Sequence, residues 1–92
     1  MNFLNQETAE LLNDSTRSII ISPDGTTEFG DRKLEMEDVQ TIVGGYFQLI
    51  HQTKKWTVFA NEDGRRLGLA TNHNVKFSFG FAVGTVVFEP RK

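Results

Sequence analysis

Apolar and polar positions keep a helical rhythm in one stretch of the chain and a two-residue rhythm in most of the rest. From Leu34 to Val43, Met36, Val39, Ile42 and Val43 recur at the spacing that lines one face of an α-helix. Glu35, Glu37 and Asp38 crowd its first turns, where carboxylates meet the positive end of the helix dipole. Gly44-Gly45 then stops it, one glycine supplying the left-handed conformation that follows a helix end.

Ser18-Ile19-Ile20-Ile21-Ser22 is β-branched and predicts a strand. Pro23-Asp24-Gly25 turns it, and Thr26 to Phe29 returns as a second strand. Beyond the helix, Tyr46 to Gln52 and Trp56 to Ala60 read as strands joined at Thr53-Lys54-Lys55, and Asn61-Glu62-Asp63-Gly64 reads as a tight turn. Leu67-Gly68-Leu69 reads as a short extended piece and Asn72-His73-Asn74 as a loop. Val75, Phe77, Phe79, Phe81 and Val83 alternate with Lys76, Ser78, Gly80, Ala82 and Gly84, which predicts one strand with one buried face. The phase breaks at Val86-Val87-Phe88, so a bulge or bend is expected at Gly80 or Gly84; Pro90 ends the last strand. The sum is a two-layer α+β domain over residues 17–92, a mostly antiparallel sheet with one main helix packed on a face. Residues 1–16, with Leu4, Ala9, Leu11 and Leu12 beside Glu7 and Glu10, form an extension that reads as a short docked helix or a fraying end.

Composition narrows the function classes. At 92 residues the chain has room for one domain, and a large enclosed cavity would consume much of its core. Ten aromatic rings, each able to bury about 150–250 Å², suit a compact fold without staples, as a monomer or a small homo-oligomer. The absence of cysteine removes disulfides, cysteine-ligated zinc, iron–sulfur clusters and thiol nucleophiles. No apolar run approaches the ~20 residues that span a bilayer, and the start lacks a signal-peptide pattern, so a soluble cytoplasmic protein is expected. Ten basic residues against twelve acidic give a net charge of −2, against the basic excess usual for nucleic-acid binders.

Ile19-Ile20-Ile21-Ser22-Pro23, followed by Leu34 through Gly44-Gly45-Tyr46-Phe47, is similar to the opening of the domain of unknown function 3846 family. Asn61-Glu62-Asp63-Gly64, Leu67-Gly68-Leu69, Asn72 and Val83-Gly84-Thr85-Val86-Val87 echo its second half. The resemblance covers Arg17 to Phe88 and is most specific from Gln40 to Phe47. Phe47-Gln48 departs from the isoleucine-glutamate the family often carries there. The resemblance implies a product of a phage, plasmid or other mobile element, and it supplies no catalytic residue to carry over.

The candidate chemistry is sparse. His51 and His73 lie far apart without zinc-motif spacing, and the 61–64 turn lacks the ligand offsets of a calcium loop. There is no nucleophile elbow, and Gly44-Gly45 follows a helix where phosphate cradles precede one. No enzyme activity, cofactor or metal is expected. Lys76, Phe77, Phe79 and Phe81 resemble the base-stacking strand of single-strand-binding domains; the opposing reading buries those rings under the helix. With Tyr46 and Trp56 they are the candidate binding residues, while Gly44, Gly45, Asn61, Gly64, Asn72 and Gly84 are candidate structural positions. The leading expectation is binding of a host or phage protein through a sheet edge or an exposed aromatic patch. The alternatives are single-stranded nucleic-acid binding and sequestration of a nucleotide-like ligand between subunits.

Overall fold

β-branched and aromatic runs separated by glycine-bearing turns fold into a sheet covered on both faces. The computed structural model describes residues 17–30, 34–77 and 80–90. Their elements run β1 (Ile19–Ile21), β2 (Thr27–Phe29), α1 (Met36–Val43), β3 (Phe47–Gln52), β4 (Trp56–Asn61), β5 (Thr71–Phe77), β6 (Gly80–Val83) and β7 (Val86–Pro90). Five strands form an antiparallel sheet in the order β2-β1-β7-β4-β3, and β5 pairs with β6 as a separate two-stranded ribbon. The fold class is α+β. The expected N-terminal helix lies outside the described residues.

The pleat sorts the core into two halves. Ile19, Ile21, Trp56, Val58, Val86 and Phe88 point to one face and pack against Val75, Phe77 and Ala82 of the ribbon. Ile20, Phe47, Phe59 and Val87 point to the other and meet Val39, Ile42 and Val43 of α1. The expected two layers are therefore three: helix, sheet, ribbon. This also accounts for the run Val86-Val87-Phe88. β7 lies at the centre of the sheet and is buried on both faces, so alternation gives way to a continuous apolar string.

Local chemistry sets the boundaries. The Asp38 carboxylate accepts from the Glu35 N–H at 2.9 Å, satisfying a donor at the start of α1. Gly44 ends it at φ +82°, and the Gly44 and Gly45 N–H groups both donate to the Gln40 carbonyl. Met36, expected on the buried face, falls in the first turn beyond the sheet and is 70% exposed.

The alternating segment departs most from expectation. Phe77 pairs with Gly80 and Lys76 with Phe81, so the chain reverses there and the run from Val75 to Val83 is two strands. Val75 and Phe77 face the sheet, whereas Phe81, opposite the exposed Lys76, lies on the outer face of the ribbon. Phe77 and Phe81 therefore lie on opposite faces, and Phe77 packs opposite the helix, not under it. Phe79 lies outside the described residues. Asn72-His73-Asn74 belongs to β5, and Leu67-Gly68 belongs to a coiled turn in which the Leu67 N–H donates to the Asp63 carbonyl.

Candidate functional site

The residues that carry the family pattern are architectural. Asn61 Nδ2 donates to the Val43 carbonyl at 3.0 Å while its Oδ1 accepts from the Asp63 N–H at 2.7 Å, tying the helix end to the turn after β4. Gly45 backs onto the Asn61 amide, and Gly64 is buried against Val83. Asn72 is fully buried; its Nδ2 donates to the Ile21 and Gly84 carbonyls at 2.9 and 3.0 Å, and its Oδ1 accepts from the Asn74 N–H and Nδ2. Asn74 Nδ2 also reaches the Ser22 carbonyl. The two asparagines thus clip the ribbon to the end of β1. Gly84 bends the chain from β6 into β7 at φ +79°, where a Cβ would stand 3.0 Å from Leu69 Cδ1. Glu89, which the sequence did not single out, is a buried carboxylate accepting from Ser18 Oγ at 2.7 Å and the Leu34 N–H at 3.3 Å.

Of the candidate binding residues, two are withdrawn by burial. Trp56 is 7% exposed and meets Phe88 edge-on, and Phe77 is 3% exposed with its ring 5.0 Å from His51. Both are core. Tyr46 is 72% exposed, just before β3. Lys76 Nζ stands 5.5 Å over the Phe81 ring, and the His73 ring meets the same ring at 4.9 Å, a small cationic and aromatic cluster on the outer ribbon face. His51 and His73 lie on different surfaces. Among the described residues no three His, Asp or Glu side chains gather to hold a metal. Asp63 pairs with Arg66 at 3.0 Å, and Glu62 beside it is exposed, so these two acids share no enclosed environment.

What the fold assembles instead is an edge strand, β3, that has no second partner strand among the described residues, with a groove beside it. The Glu62 N–H donates to the Tyr46 carbonyl at 2.9 Å, in register with the pairs Phe47↔Asn61, Gln48↔Ala60 and Leu49↔Phe59. Alternation in an antiparallel ladder then directs the Gln48 backbone to β4 and turns the N–H and C=O of Phe47 and Leu49 outward. The Phe47 ring anchors this edge by meeting Phe59 edge-on at 5.1 Å. A bulge at Ile50 breaks the register beyond Leu49. On the ribbon side, Gln48 and Ile50, the β4 end at Ala60 and Asn61, the turn residues Glu62, Gly64 and Arg65, and Phe81 to Val83 of β6 enclose a groove of about 130 Å³. Sequence reasoning named Tyr46 to Gln52 as a strand but did not find Gln48, Leu49, Glu62 or Arg65 as a surface, because no local signal marks a strand as an edge.

The family model for a domain of unknown function, DUF3846, matches residues 16–89. The chain belongs to this family. No curated protein and no solved structure matches it. The DUF3846 match runs from β1 nearly to the end of β7 and so takes in the sheet, the helix, the ribbon and the groove. No helix among the described residues is long and apolar enough to cross a membrane.

Proposed function

We propose that this DUF3846 protein is a small, non-catalytic accessory protein of a phage or other mobile element. It works in the host cytoplasm by binding a host or phage protein, which lays an extended segment along β3. The observation that carries this reading is the contrast between the two edges of the five-stranded sheet. β2 is three residues long, bears Glu28, and has the Arg17 guanidinium 5.2 Å over Phe29. Short length and charge are the usual protections of an edge. β3 is six residues long with no Asp, Glu, Lys or Arg, and turns the Phe47 and Leu49 backbone outward beside the 51%-exposed Leu49 side chain. Such an edge accepts a further strand through main-chain hydrogen bonds, with pockets for alternate side chains setting specificity.

The other readings find less support. The groove falls short of the ~300 Å³ at which ligand pockets begin, so holding a nucleotide-like molecule would need a second copy. Among the described residues of that segment, single-stranded nucleic acid would find one outward ring, Phe81, with Lys76 and His73 beside it, where stacking calls for successive rings. Salt-sensitive binding of an oligothymidine that Phe81→Ala weakens would favour that alternative over strand addition.

Leu49→Pro tests the proposal. Proline there removes an outward N–H, leaves the bonds to β4 in place, and is tolerated on edge strands. Tagged protein captures partners from host and phage-infected lysates, and each is then re-tested as a purified protein. Loss of the partner by Leu49→Pro with an unchanged melting curve supports strand addition; full retention of every partner overturns it.

A further inference from the structure

We draw no further inference here: the strongest candidate, the surface cluster of His73, Lys76 and Phe81 on the outer face of the β5–β6 ribbon, belongs to the nucleic-acid reading already weighed, and nothing in the structure shows what covers it.

Discussion

Replacing Asn72 with alanine removes four hydrogen bonds at once. Two donate to the Ile21 and Gly84 carbonyls at 2.9 and 3.0 Å, and two are accepted from Asn74 at 3.2 and 3.0 Å. At a net value of about 0.5–1.5 kcal/mol for each bond, the loss is about 2–6 kcal/mol before any packing defect is counted. A chain of this length has a total stability of about 5–14 kcal/mol. The substitution therefore consumes a large share of it, because the bond to Ile21 ties the ribbon to β1 and the bond to Gly84 fixes the bend from β6 into β7. Thermal and urea unfolding followed by circular dichroism measure the effect, with about 4–8 °C lost in Tm for each kcal/mol in a domain this small. Asn72→Asp sharpens the test. It keeps the shape but turns a donor pair facing two carbonyls into acceptors, and is expected to be at least as damaging as alanine at pH 7. A loss below about 1 kcal/mol in the alanine variant, or a well-tolerated aspartate, would refute the hydrogen-bond account.

Two further outcomes follow from the geometry. Phe77→Ala is expected to cost about 3–5 kcal/mol as a core truncation, whereas Phe81→Ala on the outer ribbon face costs less than about 1 kcal/mol; equal losses in chemical denaturation would contradict their placement on opposite faces. The Asp24 carboxyl, which accepts the Thr26 N–H at 2.8 Å, lies below its usual value of 3.8 because that backbone bond favours the charged form. Its contribution to stability is therefore present above pH 3.8 and is lost as the pH falls through the lowered value. Melting curves of the wild type and Asp24→Asn should converge on acidification, the difference at neutral pH being small because the turn is exposed.

Elements that carry their own stop signals were legible. The helix was readable because Met36, Val39, Ile42 and Val43 keep a helical period and Gly44-Gly45 supplies the stop. The Pro23-Asp24-Gly25 turn was readable for a similar reason: the Ser22 N–H donates to the Thr26 carbonyl across it, with Gly25 at φ +93°. The reversal between Phe77 and Gly80 was not, since alternation runs unbroken through it and no Asn-Gly or Asp-Gly pair announces a hairpin. Asn72 and Asn74 looked like loop residues because their amides suit turns; here they bond backbone carbonyls of a distant strand. The edge role of β3 was illegible for a deeper reason. Strand order is a property of the whole sheet, and nothing in Phe47-Gln48-Leu49 says that β7 rather than β3 will sit at the centre. The signature asparagines and glycines were visible as a pattern, but only the fold shows that they clip layers together.

Amide hydrogen exchange by NMR, on the chain alone and saturated with a purified partner captured by the wild type, probes the β3 edge residue by residue. Strand addition predicts that the Phe47 and Leu49 N–H groups exchange fast in the free protein and slowly in the complex, while Gln48, already bonded to β4, is protected in both. Protection that instead arises at His73, Lys76 and Phe81, with Phe47 and Leu49 unchanged, would contradict it.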